Sequence, residues 1–240
     1  MVCLHGVQGY CGRFGRLAEE RLADRYHVLA LDLRGHGRSV REGPWTLAAH
    51  LEDLLETWSE PAIWIGHSFG GRLVAELMAA RPQLVQRAVL LDPALTVPPD
   101  YAELLAEQEL AEDVSFATRE EGVAAWTEGL LRPTSDTVRE EVGRQLLEGP
   151  DGRFRADYTP EAVATGYREI ATVPPPWFAN GIPTLIVAGE LSKIVSVGEV
   201  EIYRRRLGDL LHVAVVPGGH SVLWDAFDET ADAIERFLGA

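Results

Sequence analysis

The sequence has few of the features that mark disulfide-rich, membrane-spanning or nucleic-acid-binding proteins. Its 240 residues include two cysteines, Cys3 and Cys11, which are too few for a disulfide framework and do not have the spacing of a metal site. No apolar run approaches the roughly 20 residues that cross a bilayer, and the amino terminus does not resemble a signal peptide. Acidic side chains outnumber basic ones by 37 to 22, so neither a nucleic acid nor an anionic membrane is an expected partner. We therefore expect a soluble, cytoplasmic, globular protein.

Short apolar segments recur along the chain, and glycine, proline or a helical pattern follows each of them. They occupy residues 2–4, 27–31, 62–65, 88–91, 184–188 and 211–216. Nearly continuous hydrophobicity is typical of strands that are buried on both faces of a parallel sheet. Helical patterns lie between them, at residues 46–58, 70–80, 197–207 and 228–238. The sequence therefore predicts an α/β protein with a mostly parallel sheet of about six main strands, flanked by helices.

One region interrupts this alternation. Residues 95–176 are helical in pattern with no convincing strand, and residues 100–149 contain thirteen acidic side chains against four arginines. Three consecutive prolines, at positions 174–176, end the region. We predict a core formed by residues 1–94 and 177–240, with residues 95–176 inserted as a helical lid over the ends of the strands. A solvated helix surface accounts for most of the acidic residues.

The segment Gly66-His67-Ser68-Phe69-Gly70 follows a predicted strand and precedes a predicted helix. It matches the G-x-S-x-G turn, in which a serine projects from a tight, strained turn and larger flanking residues would clash. The following helix directs its N-terminal N–H groups at charge that develops beside the serine. We predict that Ser68 is a nucleophile; a chance match on an ordinary turn is the alternative.

A histidine near the carboxyl end of the last predicted strand is the expected base. His220 follows that strand directly, and loops at this edge of an open α/β sheet are where ligands bind. The imidazole pKa near neutral pH suits it to accept the proton of a serine hydroxyl. The side chain of His67 lies within the turn itself and is expected to point away from the reacting carbonyl.

The glycine-rich segment at residues 4–9 follows the first predicted strand. A turn there can present the backbone N–H of Val7 opposite that of Phe69. Two such donors would form an oxyanion hole, which stabilises negative charge in a transition state. A plain connection between strand and helix is the alternative.

Five segments together resemble the α/β-hydrolase superfamily over nearly the whole chain. They are LHG at 4–6, LDLRGHGRS at 31–39, GHSFGG at 66–71, PTLIVAGE at 183–190 and PGGH at 217–220. The resemblance implies an α/β-hydrolase fold of the lidded, esterase-like branch, with Ser68 and His220 in a Ser–His–acid triad. It also implies oxyanion N–H groups at Val7 and Phe69 and a cap between about residues 92 and 183. The turn at residues 32–39 is interpreted as scaffold.

The acid of this triad departs from the family's usual pattern. The family places an aspartate shortly after the strand at 184–188, where this chain has Ser192, and a serine cannot supply negative charge to an imidazolium. Asp92, at the end of the preceding strand, is the favoured acid, and Glu190 is the second candidate. A helix cap or turn anchor is the structural alternative for Asp92.

The amino terminus is the second departure, because the chain begins inside the strand that family members precede with an antiparallel pair. The strand at residues 27–32 would then be an uncovered edge. Pairing through that edge and a truncated sequence are both open, so we expect a monomer or a homodimer.

The expected activity is that of a serine hydrolase that cleaves a small carboxylic ester through an acyl-enzyme, without a metal or cofactor. Thioesterase, lactonase, C–C bond hydrolase or perhydrolase activity is an alternative within the same fold. A ligand-binding or signalling protein with weak or no turnover is the alternative from another class, motivated by Ser192.

Four aromatic side chains are candidates for the wall of a substrate pocket: Phe69, Trp126, Trp177 and Phe178. Ordinary packing in the core or lid is the alternative for each of them. The net charge of −15 disfavours strongly anionic substrates, unless a local basic pocket overrules it.

Overall fold

A computed structural model describes residues 1–111, 113–128, 130 and 135–239. Its main sheet has six parallel strands in the order β2-β1-β3-β4-β7-β8. These strands are β1 Val2–Leu4, β2 Leu29–Leu31, β3 Ala62–His67, β4 Val85–Leu91, β7 Thr184–Gly189 and β8 Leu211–Val216. A separate two-stranded sheet pairs β5 Leu146–Glu148 with β6 Phe154–Ala156. The prediction of a mostly parallel six-stranded sheet is therefore confirmed.

Ten α-helical segments occur among the described residues. They are α1 Gly15–Leu17, α2 Leu47–Thr57, α3 Phe69–Ala80, α4 Pro99–Ala111, α5 Arg119–Glu128, α6 Asp136–Gln145, α7 Pro160–Ile170, α8 Val197–Leu207, α9 Val222–Asp225 and α10 Phe227–Leu238. None of the described helices combines the length and the apolar character that a bilayer crossing requires.

The sheet separates two apolar layers, because successive side chains of a strand point to opposite faces. Val2 and Leu4 of β1 pack on one face, in a core that also holds residues of α2, α3 and α8. Cys3, between them, packs on the other face with residues of α1 and α10. The sheet is thus buried on both sides, which explains why its strands are almost uniformly apolar in sequence.

The strand order places a particular pair of loops side by side. From β1 the chain moves to one side to form β2 and then returns to the other side to form β3, so the order reverses between β1 and β3. Such switch points form the crevice in which open α/β sheets bind ligands. Because Leu4 is paired with Gly66, the loop after β1 adjoins the turn that contains Ser68.

The insertion between β4 and β7 is largely helical, but it contains the β5–β6 hairpin, so the expectation of no strand there is wrong. The hairpin turn is closed by backbone hydrogen bonds from Gly149 to Arg153 and from Gly152 to Gly149. Gly152 adopts a φ of 73°, which a glycine accepts without strain. Strands of three residues are too short to show an alternating pattern, although Pro150-Asp151-Gly152 is a typical turn sequence.

A buried arginine joins both ends of the insertion to the helix that follows Ser68. Arg72 in α3 is 1% exposed and pairs with Glu76 at 2.8 Å. Its guanidinium also donates to the carbonyl of Leu95, at the start of the insertion, and to the carbonyl and hydroxyl of Thr172, near its end. These bonds satisfy a charge that would be costly to bury alone, and they hold the insertion against the core.

Candidate active site

Ser68 lies between the last residue of β3 and the first residue of α3, in a strained backbone conformation. Its φ and ψ are 53° and −113°, a region that residues with a side chain rarely adopt. The chain can turn this sharply because glycines lie two residues before and two residues after Ser68. A Cβ on Gly66 would lie 2.3 Å from the carbonyl oxygen of Gly70, and one on Gly70 would lie 2.1 Å from that of Leu4.

Three side chains form a continuous hydrogen-bonded chain at the carboxyl end of the sheet. Nε2 of His220 lies 2.9 Å from Oγ of Ser68, and Nδ1 of His220 lies 2.6 Å from Oδ2 of Asp92. The register explains the meeting of serine and acid, because His67 and Leu91 are paired and Ser68 and Asp92 each follow by one residue. The carboxylate is fully buried, whereas 38% of the His220 side chain is exposed.

The surroundings of Asp92 hold its carboxylate towards His220. The backbone N–H of Gly189 donates to Oδ1 at 3.1 Å, and the hydroxyl of Ser192 donates to Oδ2 at 2.5 Å. Ser192, at the position of the family's usual aspartate, thus contacts the carboxylate that reaches the histidine. Glu190 is exposed and binds through its backbone N–H to the carbonyl of Val216. Of the two candidate acids, Asp92 contacts the histidine in this structure.

The loop after β1 runs directly against the nucleophile. A Cβ on Gly6 would lie 3.2 Å from Cβ of Ser68, so a larger residue there would crowd the nucleophile. Two buried histidines, His5 and His36, form hydrogen bonds with backbone carbonyls of this loop. His5 accepts the N–H of Leu33 at Nε2, 3.0 Å away, which leaves Nδ1–H to donate to the carbonyl of Gly6 at 2.7 Å.

The second of these histidines binds the residue predicted to supply an oxyanion donor. Nε2 of His36 lies 2.6 Å from the carbonyl oxygen of Val7, which fixes the orientation of the loop there. Within the described part of the chain, the N–H groups of Val7 and Phe69 have no backbone acceptor. That of Phe69 belongs to the first turn of α3, where the helix dipole favours negative charge.

A cavity of about 270 Å³ opens beside Ser68 and His220. Most of its apolar wall comes from the insertion, and the loops after β1, β3 and β8 supply its polar wall. The lining residues are Gly6, Val7, Gln8, Gly9, Arg13, His67, Ser68, Ala94, Val97, Tyr101, Leu105, Tyr167, Ile170, Ile194, His220 and Ser221. Sequence reasoning missed the insertion residues, although Val97, Tyr101 and Leu105 recur at the spacing of one helix face.

None of the four aromatic rings expected in the pocket wall lines this cavity, so that prediction is corrected. Trp177 is fully buried and packs against Phe178, with 5.7 Å between ring centroids. Phe69 is buried beside His50, and Trp126 packs near Tyr158 in the insertion. The sequence identifies these side chains as large and apolar, but it does not show whether each one points into the cavity or into the core.

His67 also differs from expectation, because its ring forms part of the cavity wall. Its Nε2 lies 2.9 Å from the carbonyl oxygen of His220, and the two rings are 4.8 Å apart. Burial and the neighbouring His220 lower the pKa of His67 to about 3, so it is neutral under ordinary conditions. Its hydrogen bond therefore supports the backbone of His220 without adding charge to the site.

Buried neutral histidines predict a loss of stability in mild acid. Burial lowers the pKa of His50 to about 3, whereas a histidine in the unfolded chain titrates near 6.5. Below pH 6.5 the unfolded chain therefore takes up a proton that the native state does not. We expect the free energy of unfolding to fall, approaching about 1.4 kcal/mol per pH unit for each such histidine. Urea unfolding between pH 7 and 5 measures this slope.

The His50→Leu variant tests the source of that slope. Its free energy of unfolding should fall less steeply with acid, by about 1.4 kcal/mol per pH unit, since Leu cannot take up a proton. His27→Gln is the matched control, because His27 is exposed. Equal slopes for His50→Leu and the wild type would contradict the prediction.

The described residues contain no group of three or more His, Cys, Asp or Glu that could hold a metal ion. Comparison with known proteins agrees with the fold. A family described as alpha/beta hydrolase fold matches residues 1–227.

Curated relatives match the chain over its whole length. Lipase LipV of Mycobacterium tuberculosis is 31% identical over 100% of this chain and 93% of its own length. The pimeloyl-[acyl-carrier protein] methyl ester esterase of Xanthomonas campestris is 25% identical, covering 100% of this chain and 95% of its own. The crystal structure of E-2-(acetamidomethylene)succinate hydrolase superposes with a TM-score of 0.87 at 27% identity, covering 100% of this chain and 91% of that one.

Proposed function

Because the chain belongs to the alpha/beta hydrolase fold family, we propose that it is a serine hydrolase that cleaves small carboxylic esters through an acyl-enzyme on Ser68. The hydrogen-bonded chain from Ser68 through His220 to Asp92 carries this proposal. A serine hydroxyl is a weak nucleophile until a base accepts its proton, and a base oriented by a third group is the arrangement that activates it. Lipase and esterase relatives support ester cleavage as the reaction.

In the proposed mechanism, Oγ of Ser68 attacks the ester carbonyl carbon while Nε2 of His220 accepts the hydroxyl proton. The tetrahedral intermediate collapses as His220 returns that proton to the departing alkoxide, leaving an acyl-serine and an alcohol. Water, deprotonated by His220, then attacks the acyl-serine and releases the carboxylic acid. Throughout, the Asp92 carboxylate stabilises the imidazolium and holds its tautomer without accepting the proton itself.

The N–H groups of Val7 and Phe69 are the proposed oxyanion donors. The contact of the Gly6 loop with Ser68, and the hydrogen bond that holds the carbonyl of Val7, support this role. Donors fixed before the reaction stabilise the developing charge without reorganising, and one such donor typically contributes about 10²–10³-fold in kcat.

We propose that residues 95–176 act as a lid, of which residues 112, 129 and 131–134 lie outside the described part. The insertion supplies Tyr101, Leu105, Tyr167 and Ile170 to the cavity wall. A cavity of about 270 Å³ suits a small substrate rather than a long acyl chain.

Covalent labelling tests the proposed nucleophile directly. A fluorophosphonate that reacts with activated serines should modify the protein once and abolish hydrolysis of p-nitrophenyl butyrate. Trypsin should release residues 42–72 as one peptide, in which both Ser59 and Ser68 can be distinguished by fragmentation. We expect the label on Ser68 alone, because Ser68 is bonded to His220 and Ser59 is exposed.

The same experiment contains its controls. Ser221 lies in the cavity wall and in a different tryptic peptide, so it reports whether proximity to the cavity is sufficient for labelling. Label on Ser221 instead of Ser68, or ester hydrolysis that survives complete labelling, would refute the mechanism.

A further inference from the structure

Arg13 brings a positive charge into the wall of the catalytic cavity. It lies in the short 3-10 helix Cys11–Phe14 that follows the Gly6 loop, and it lines the cavity together with Ser68 and His220. The proposed mechanism does not use it. A cation beside the reacting groups of a strongly acidic protein therefore requires its own explanation.

The guanidinium has no protein counter-ion at contact distance. Its Nε is buried without a hydrogen-bond partner. Among the ion pairs formed by described residues, none involves Arg13. Burial lowers the pKa of Arg13 to about 10, and Tyr10 and Glu141 oppose that effect from beyond contact. Arg13 is therefore still charged at neutral pH, and among the described residues no carboxylate lies within ion-pair distance of it.

The Trp224 ring stacks on the guanidinium of Arg13. Its Cζ lies 3.5 Å from the centroid of the Trp224 ring, so the indole covers one face of the group. The N–H groups of arginine project from the rim of its plane, where they match a carboxylate in two parallel hydrogen bonds. Trp224 is itself fixed, because its Nε1 donates to Glu141 at 2.8 Å.

A small recess adjoins the cavity at this point. Arg13, His67 and Ser221 line both the cavity and the recess, and Leu223 and Trp224 complete the recess. The apolar residues from the insertion line only the main cavity. The cavity thus has a cationic side next to His220 and an apolar side under the insertion.

Arg16 shows that stacking alone does not explain Arg13. One turn further along the chain, Arg16 is also stacked on an aromatic ring, with its Cζ 3.6 Å from the centroid of Phe227. Arg16, however, pairs with Glu20 at 3.1 Å and does not line the cavity. Of these two stacked arginines, Arg16 has a carboxylate at ion-pair distance, whereas Arg13, in the cavity wall, does not.

We propose that Arg13 binds a carboxylate of the substrate, so that the natural substrate is a small acyl compound carrying a carboxylate in addition to the scissile bond. The proposal rests on the proposed function, since it takes the cavity as the catalytic one. An anionic substrate is compatible with the net charge of −15, because a local cation outweighs the field of the whole protein at contact distance.

Matched ester pairs measure this preference on either side of the scissile bond. Monomethyl glutarate against methyl pentanoate places the carboxylate on the acyl side. The butyrate ester of 4-hydroxybenzoate against p-tolyl butyrate places it on the alcohol side. In the wild type we expect kcat/KM to be higher for the ester with the carboxylate in one of the two pairs, and the ratio of the two values measures the preference. Arg13→Met should lower that ratio about 10- to 100-fold, the effect of losing charge-assisted hydrogen bonds.

Arg16→Met is the matched control and should leave the ratio unchanged. Thermal unfolding shows whether each variant is folded, and Arg13→Lys, which keeps the charge but not the planar fork, should retain part of the ratio. A wild type that prefers the neutral ester in both pairs, or a ratio that Arg13→Met does not change, overturns the proposal.

A binding measurement separates this proposal from the proposed function. Calorimetry with Ser68→Ala should detect glutarate or 4-hydroxybenzoate, and the affinity should fall at least tenfold when Arg13→Met is added. This result would support the carboxylate site even if no ester were hydrolysed. An absence of hydrolysis would refute the proposed function alone. Equal affinity with and without Arg13 would refute the carboxylate site alone.

Discussion

Replacing Ser68 or His220 with alanine is expected to lower kcat for p-nitrophenyl butyrate by about 10⁶-fold in each case. The two side chains act as one unit, because the hydroxyl is reactive only while Nε2 of His220, 2.9 Å away, accepts its proton. The double variant should therefore be hardly slower than either single one. Single-turnover and steady-state hydrolysis of the same ester give the three rates.

The rate that remains in these variants is also informative. A rate about 10³–10⁴-fold above uncatalysed hydrolysis should survive, since the proposed oxyanion donors, the N–H groups of Val7 and Phe69, remain in these variants. Ser59→Ala, at an exposed serine in another loop, serves as the control and should match the wild type. Losses that multiply in the double variant would show that serine and histidine act independently, against the proposed mechanism.

Much of the fold is predictable from the sequence because buried parallel strands have an unmistakable composition. The predicted segments at 62–65, 184–188 and 211–216 each lie within an observed strand. The edge strand β2 is shorter than predicted, Leu29–Leu31 against 27–31, because its pairing with β1 begins only at Leu29, opposite Val2. The helix Val197–Leu207 begins where Ser196 and Glu199 form a capping box, which fixes its first residue.

The triad acid is harder to predict, because distance along the chain does not determine distance in space. Asp92 and Glu190 follow adjacent strands, β4 and β7, so sequence alone leaves both within reach of His220. The structure distinguishes them through orientation: Asp92 has a φ of 41°, and its side chain is buried towards the histidine. Ser192 then no longer suggests a missing acid, which removes the motivation for a binding protein without turnover.

The cavity wall is the least predictable part, because it depends on how the insertion packs. Arg13 has no local signal, since an arginine after a glycine-rich loop is usually exposed. Its significance appears only when the Trp224 ring, more than 200 positions later, covers one face of it. The wrongly chosen rings of Trp177 and Phe178 instead pack on Tyr203 of α8.

The second large effect is expected at the acid. Asp92→Asn should lower kcat about 10⁴-fold, because the amide cannot stabilise the imidazolium and favours the wrong tautomer of His220. Glu190→Gln is the matched control, and we expect its rate to stay within a few-fold of the wild type, since Glu190 is exposed. Comparable losses in both variants, or a larger loss at Glu190, would show that Asp92 is not the acid.

Ser192 allows the position of the negative charge to be tested separately from the residue that carries it. Its Oγ lies 2.5 Å from the Asp92 carboxylate, so a carboxylate at position 192 can reach the same region beside Nδ1 of His220. Adding Ser192→Asp to Asp92→Asn should therefore restore kcat by at least about tenfold, given the 10⁴-fold effect of a triad acid.

In the wild-type background the same Ser192→Asp change should be harmful at neutral pH. Two carboxylates in contact cannot both ionise readily, so one of them is expected to titrate at a raised pKa and to compete with His220 for hydrogen bonds. The pH profile of kcat should then acquire an additional ionisation that the double variant lacks. If the double variant is rescued but Ser192→Asp alone shows no added ionisation, the carboxylate at position 192 contacts His220 without contacting Asp92. If the double variant is not rescued, the acid must come from the end of β4.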